Sequence, residues 1–256
     1  MHAPVELADI VADILARIRD RAPRVHCITN TVAQNYTANM LLAAGAAPSM
    51  TISPEEIVSF VASADALLVN LGTFDAERRG AVDVALGAVQ TARMPWVLDP
   101  VFIERSPGRA QFARGLLARG PWAVRLNAAE FAPLFGGDPA DEAASRVAQA
   151  CATVVALTGA IDIVTDGARR VAIANGDPLM GLVAGMGCAG SALVCAALAV
   201  ETDTWLATNA ALIALGVAGE VAAQSARGPG RFASWILDAL HSLDRATLRA
   251  RIKVSR

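Results

Sequence analysis

AGMGCAGSALVCAALAV, Ala184 to Val200, is the stretch on which the reading of this chain turns. Gly185 and Gly187 stand just ahead of an apolar segment with the composition of a buried helix. Glycines let a backbone come close to a ligand, and the first N–H groups of a helix lack internal partners and carry the positive end of its dipole. Gly185, Met186, Gly187 and Cys188 therefore form a candidate anion hole, with phosphate as its natural guest. A thiol at a helix N-terminus is expected to have a lowered pKa, which makes Cys188 a candidate base or polar contact for a reacting hydroxyl. A tight turn with close helix packing and an inert Cys188 give the same pattern, and on this element alone both readings stay open.

On either side, short β-rich runs alternate with helical ones, the pattern of an α/β fold with a mostly parallel central sheet flanked by helices. Strands are predicted at Val25 to Ile28, Pro48 to Thr51, Ala66 to Asn70, Trp96 to Asp99, Ala123 to Leu126, Thr153 to Leu157, Asp162 to Thr165 and Val171 to Ala174. Asp166-Gly167 is a hairpin signal, so the sheet is expected to end in an antiparallel edge ribbon. Ser53-Pro54-Glu55-Glu56, Ser106-Pro107 and Asp138-Pro139 each offer a capping side chain followed by proline, the signature of a helix start. No repeat, low-complexity run or linker interrupts the pattern, and Gly228-Pro229-Gly230 reads as a break between two helices. One domain over residues 1–256 is expected.

Composition narrows the function classes. The 22 basic and 24 acidic residues give a net charge of −2, with no basic run, so neither nucleic acid nor an anionic membrane is an expected partner and the ligand should be small. The four cysteines show no metal-site or disulfide spacing, which suits a reducing cytoplasm. The N-terminal segment reads as an amphipathic helix, with Val5, Ile10, Val11, Ile14 and Ile18 inward and Asp9, Asp13 and Arg17 outward, and not as a secretory signal. Apolar residues make up 54% of the chain and aromatics 5%, the composition of closely packed Ala, Leu and Val helices. No stretch reaches the roughly 20 apolar residues needed to cross a bilayer. Trp205 to Gly219 comes nearest and is expected to be a core helix, apolar on so many faces that a subunit interface is implied.

Ligands of open α/β sheets bind outside the carboxyl ends of the strands, so polar residues there are the candidates for chemistry. Asp99 ends one predicted strand, Glu130 lies one turn beyond another, and Thr158-Gly159 ends a third. Asp99 and Glu130 are candidates for an acidic cluster that holds Mg²⁺ beside nucleotide phosphates, or a strand-end turn and a solvated helix residue. The run from Val25 to Met50 places Asn30, Gln34, Asn35 and Asn39 in an apolar context. Such amides either fix a small polar heterocycle or cap and satisfy local backbone, and Met50 is either core filler or a soft wall for a flat ring.

These blocks together, VHCITNTVAQNYTANMLLAAGAAPSM, ALLVNLGT, VLDPV, AVRLNAAE, VVALTGAIDIVTDG, ANGDPLM and AGMGC, resemble the hydroxyethylthiazole kinase family of the thiamin pathway, in order and over nearly the whole chain. The resemblance implies a ribokinase-like fold and a homotrimer with active sites at subunit boundaries. It implies Mg²⁺-dependent transfer of the γ-phosphoryl group of ATP to the alcohol of 4-methyl-5-(2-hydroxyethyl)thiazole. By position it makes Met50, Gly185 and Asn30 thiazole contacts, Arg125 and Thr158 ATP contacts, and Asp99 and Glu130 the metal and phosphate region. Cys188 stands where the wider superfamily has an aspartate that takes the proton of the acceptor hydroxyl.

Three stretches depart from the family pattern. Ala184 lacks a hydroxyl and Met186 brings bulk to the phosphate turn, which implies weaker phosphate affinity. Phe102-Ile103-Glu104-Arg105-Ser106-Pro107 replaces a glycine-rich loop, with Arg105 a source of compensating charge. Leu126 replaces a glycine and should stiffen its turn. Two other readings share parts of the pattern: a related kinase of another small alcohol, of the hydroxymethylpyrimidine type, and a nucleotide-binding homologue without turnover.

Overall fold

The computed structural model describes residues 3–255. Nine strands form one sheet in the order β2-β1-β3-β4-β5-β6-β7-β8-β9. They are β1 (Arg24–Ile28), β2 (Ala47–Ser49), β3 (Ala66–Asn70), β4 (Trp96–Asp99), β5 (Ala123–Asn127), β6 (Val154–Thr158), β7 (Asp162–Thr165), β8 (Arg170–Ile173) and β9 (Val254–Ser255). The first six are parallel, and β7, β8 and β9 add the antiparallel ribbon. Seven of the predicted strands agree to within a residue at each end. The second, predicted at Pro48 to Thr51, runs over Ala47–Ser49, and β9 carries no legible signal because two residues are too short to show periodicity.

Strand alternation divides the core in two. Ala66, Leu68, Val97, Ala123 and Ala156 face a layer containing α1 (Pro4–Arg21), α2 (Gln34–Ala44), α8 (Met186–Leu198), α9 (Thr204–Ala223), α10 (Pro229–Ser242) and α11 (Arg245–Arg251). Leu67, Val69, Leu98, Val124 and Leu157 face α3 (Ile57–Ala62), α4 (Ala76–Ala92), α5 (Pro107–Leu117), α6 (Ala128–Phe135) and α7 (Asp141–Cys151). The same parity carries Asn70, Asp99, Arg125 and Thr158 onto the α8 side at the strand ends. Local chemistry thus aims four polar side chains at one helix.

Several expectations are corrected. Helix α9 is long and apolar enough by composition to cross a membrane, yet 78% of its 18-residue window is buried within the chain, against α1, α8, α10 and the sheet. Its apolar faces are covered in the monomer and carry no argument for a subunit interface. Ser106 caps α5, its hydroxyl accepting the Arg109 N–H; the break read at Gly228-Pro229-Gly230 ends at Gly228, and Pro229 and Gly230 already belong to the first turn of α10. Ser53-Pro54 does not start a helix: the Ser53 hydroxyl accepts the Glu55 N–H in a local turn, Thr51 donates to the Glu56 carboxylate, and α3 begins at Ile57. After Asp138-Pro139, α7 begins at Asp141 with no side-chain cap. In α1, Val5 is exposed, while Leu7, Ala8 and Leu15 join Val11, Ile14 and Ile18 in the core. Asp9 faces outward and pairs with Arg249 and Arg245.

Glycine on α9 sets how closely the loop after β8 can approach. A Cβ on Gly216 would lie 2.8 Å from both Asn175 Cβ and the Asn175 carbonyl oxygen, whereas one on Gly87 of α4 would meet nothing within 4 Å. Helix propensity favours alanine by about 1 kcal/mol at either position, and the clash reverses that at the first. Thermal unfolding should show Gly87→Ala raising Tm by roughly 2–4 °C and Gly216→Ala lowering it. Equal shifts in the two variants would contradict the close approach.

Candidate active site

A cleft of about 710 Å³ opens outside the carboxyl ends of β4, β5 and β6 and is roofed by the loop that follows β8. Asp99, Arg125, Glu130, Thr158, Gly185, Met186, Gly187 and Cys188 all line it. Gly185, at φ +81°, caps α8, and a Cβ there would come within 3.0 Å of Ala33 Cβ, so glycine is required twice over. The N–H of Met186 is taken by the Val183 carbonyl, and the Gly185 carbonyl accepts from Ala189. The N–H groups of Gly185, Gly187 and Cys188 have no partner among the described residues. The anion hole is therefore smaller than read, because Met186 contributes no free donor. Its bulk is accommodated in the apolar core, where the side chain is buried.

Arg125 runs alongside this helix start. Its Nη1 donates to the Gly187 carbonyl at 3.0 Å, and Cβ atoms on Gly187 and Gly190 would lie 3.3 and 3.6 Å from guanidinium nitrogens. The Arg125 Nε is buried without a partner. The Arg125 charge lies beside helix N–H groups that have no internal partner, an arrangement suited to an anion. Thr158 donates to the Leu126 carbonyl at 3.2 Å, tying β6 to β5 at the rim.

The two carboxylates differ in how they are held. Asp99 Oδ2 accepts from Asn70 at 2.6 Å and from Ser191 at 2.8 Å, and its second oxygen takes no hydrogen bond from the described residues. Burial pushes its pKa upward against the Arg125 charge and these donors. Glu130 closes a capping box with Asn127, Oε2 accepting the Asn127 N–H, while Oε1 accepts the Phe102 N–H. Burial, followed by the Asp99 charge, pushes Glu130 up to about 7. It is not a solvated helix residue, and each of its oxygens already accepts one backbone N–H. Phe102 itself adopts φ +61°, the conformation a glycine would favour, at a cost of roughly 1–2 kcal/mol. Arg105 lies over the Phe102 ring and pairs with Glu104, so its charge is already engaged.

Cys188 is buried, and its sulfur accepts from Asn30 Nδ2 at 3.1 Å. Burial, with Asp99 second, raises its pKa to about 11, which overturns the expectation of a lowered value. Desolvation and a neighbouring carboxylate outweigh the helix dipole here. Asn30 is also a cap, its Oδ1 accepting the Ala33 N–H at 2.8 Å. Asn35 and Asn39 are exposed and bonded to each other, away from the cleft. Met50 follows edge strand β2 and packs on the α8 side of the core, outside the cleft wall.

Residues missed from the sequence join these groups. Asn70 spans Asp99 and Asn30, accepting from Asn30 at 3.5 Å and from the Gly72 N–H. A Cβ on Gly72 would collide with Asn30 at 2.5 Å. Asp162 accepts the Gly159 N–H and lines the same cleft, its pKa raised by burial. Asn70 was available to the strand-end rule that selected Asp99; Ser191, one turn after Cys188, stood out only as a hydroxyl in an apolar helix.

The sheet is that of a ribokinase-like fold, and a helix start with free N–H groups beside two buried carboxylates suits a small-molecule kinase of that class. A ribokinase-like superfamily protein from Enterococcus faecalis V583 shares the fold at TM-score 0.70 and 12% identity, covering 93% of this chain and 95% of that one. The profile of the Hydroxyethylthiazole kinase family matches residues 15–246, and the chain belongs to that family. It is 45% identical over 232 residues to a probable hydroxyethylthiazole kinase of Agrobacterium fabrum, covering 91% of this chain and 89% of the relative. It is likewise 45% identical over 249 residues to the hydroxyethylthiazole kinase of Granulibacter bethesdensis, covering 92% and 91%. The solved hydroxyethylthiazole kinase of Pyrococcus horikoshii OT3 superposes at TM-score 0.91 with 36% identity, covering 96% of this chain and 98% of that one.

A thiol with a pKa of about 11 remains protonated at neutral pH. Iodoacetamide labelling of the Cys188 peptide, followed by mass spectrometry, should be slow at pH 7.5 and still be rising at about pH 9. A rate that levels off below pH 8 would restore the low-pKa thiolate.

Proposed function

We propose that the chain, acting as one kinase domain over residues 1–256, transfers the γ-phosphoryl group of ATP to the hydroxyethyl group of 4-methyl-5-(2-hydroxyethyl)thiazole. Membership of the family supports this. The observation that carries it is the 3.1 Å contact of Asn30 with Cys188 beside the free N–H groups of α8, which sets an acceptor contact against an anion site.

The chain's own groups divide the work. The N–H groups of Gly185, Gly187 and Cys188 would take charge developing on the transferring phosphoryl group, and the guanidinium of Arg125, which lines the cleft, would hold nucleotide phosphate by its charge, with Thr158 on the ATP side of the cleft. Cys188, a neutral thiol held by Asn30, would orient the acceptor hydroxyl more than deprotonate it. Gly185, Asn30 and Met50 would contact the thiazole. No group of three or more potential ligand side chains gathers among the described residues. Asp99 with one unbonded oxygen and Glu130 nearby nonetheless suit Mg²⁺, which is commonly bound by one or two carboxylates, phosphates and its own waters. Bound with ATP, the ion would neutralise phosphate charge.

A homotrimer with sites between chains completes the proposal. Its support is Met50's place outside the cleft at the sheet edge, together with exposed Val32, Leu42 and Val58 on segments flanking β2. The large buried share of α9 accords with a core helix rather than a membrane span.

ATP-dependent phosphorylation should favour the thiazole alcohol over hydroxymethylpyrimidine in kcat/KM; the reverse preference would overturn the assignment. Cys188→Ala should lower kcat and kcat/KM together by about ten- to a hundredfold with ATP binding unchanged, and Cys188→Asp should keep substantial activity. Wild-type turnover by the alanine variant would reduce Cys188 to packing. Asp99→Ala and Glu130→Ala should each cut turnover strongly in a folded protein and shift its Mg²⁺ dependence. An unchanged Mg²⁺ titration in both would place the ion elsewhere.

A further inference from the structure

His26 is fully buried in β1, yet it plays no part in the cleft. Its Nδ1 lies 2.8 Å from Ser49 Oγ and its Nε2 2.9 Å from the Thr51 carbonyl oxygen. Burial holds the ring's pKa below the ordinary histidine value, so the imidazole is neutral, with one donor and one acceptor. Nε2 faces a carbonyl and must carry the proton, which leaves Nδ1 to accept the Ser49 hydroxyl. The two partners are the chain neighbours of Met50 on either side.

The segment they belong to needs such support. β2 has three residues and one neighbouring strand, paired only through Arg24 to Ala47, Val25 to Pro48 and His26 to Ser49, and Pro48 brings no N–H. The ladder ends at Ser49, one residue before Met50. Alternation then fixes direction: Val25 and Cys27 face the α8 layer, so His26 lies on the opposite side with Ser49 and approaches the α3 residue Phe60, ring centroids 6.0 Å apart. Met50 packs on the α8 side. The hydroxyl of Thr51 donates to Glu56 at 2.5 Å, which fixes the chain just beyond.

We propose that His26 is a positioning residue for the acceptor site, clamping Ser49 and Thr51 from behind the sheet so that Met50 is presented on the opposite face as a wall for the thiazole ring. The inference rests on the reading of Met50 as an acceptor contact. It assigns His26 no contact with substrate, so its effect must pass through Met50 and fall on acceptor binding.

The test compares steady-state KM for the thiazole alcohol, KM for ATP and kcat in His26→Leu, His26→Gln, Met50→Ala and the His26→Leu/Met50→Ala double variant. His26→Leu loses both tethers and should raise acceptor KM about tenfold, with ATP KM and kcat within about twofold. His26→Gln keeps an amide donor in reach of the Thr51 carbonyl and should stay within about threefold of wild type. Met50→Ala should raise acceptor KM, and in that background His26→Leu should add less than twofold, since contributions acting through one group are not additive. If Met50→Ala raises acceptor KM and His26→Leu does not, the clamp is overturned while the wall stands. If Met50→Ala changes nothing, the wall reading falls and the clamp with it. Full additivity, or ATP KM rising in step, would mark His26 as general packing. Should His26→Leu fail to fold, Ser49→Ala decides: loss of one tether should raise acceptor KM about threefold, and an unchanged value overturns the clamp.

Discussion

The guanidinium of Arg125 lies against the first turn of α8, and the arrangement of the cleft depends on that contact. Glycines at 187 and 190 leave it room, the Gly187 carbonyl accepts its hydrogen bond, and its charge opposes the buried Asp99. A cation this close to a helix N-terminus works against the dipole, since both are positive. The nearby carboxylate and the carbonyl offset that conflict, and the remaining positive field faces the cleft. Phosphate binding would relieve it further, which is why a cation and a helix start placed together read as an anion site and not merely as packing.

Asp99 propagates the arrangement across the sheet. It pairs in register with Asn70 at the adjacent strand end, Asn70 reaches Asn30, and Asn30 reaches the Cys188 sulfur. Ser191, one turn after Cys188 on the same helix, returns to Asp99. Asn30, Asn70, Asp99, Cys188 and Ser191 thus belong to one connected cluster, closed through the first turn of α8, rather than to two independent ones. Burial of this cluster raises the pKa values of Asp99, Glu130 and Cys188. A site that concentrates negative groups in a low-dielectric cleft is one in which a cation and a polyphosphate stabilise each other.

The loop after β4 shows how a departure in sequence is absorbed. Phe102 takes the positive φ that glycine would allow, and its N–H is held by Glu130, the residue that also closes the cap of α6. The ring of Phe102 is exposed beside the cleft, where Arg105 covers it. Met186 behaves similarly, its side chain entering the core instead of the phosphate turn.

The sequence by itself determined the α/β class, the parallel sheet with its antiparallel ribbon, most strand boundaries and the residues that gather at the strand ends. These follow from periodicity, from proline, glycine and capping side chains, and from the rule that strand carboxyl ends face the ligand, all of which are local in the chain. Family blocks added the placement of Asp99, Glu130, Arg125, Thr158 and Cys188 around one cleft. Tertiary structure alone decided the protonation of Cys188, because a thiol's pKa depends on burial and on a carboxylate 89 positions away in the chain. It alone showed that α9 is covered by its own chain, since an all-round apolar helix looks the same in sequence whether its neighbours come from one subunit or three. It also decided which helix N–H groups are free, why Asn70 and Ser191 matter, and that His26 brackets Met50. Each of these is a contact between distant segments, and hydrophobic pattern fixes which face a residue takes but not which polar atom it will meet there.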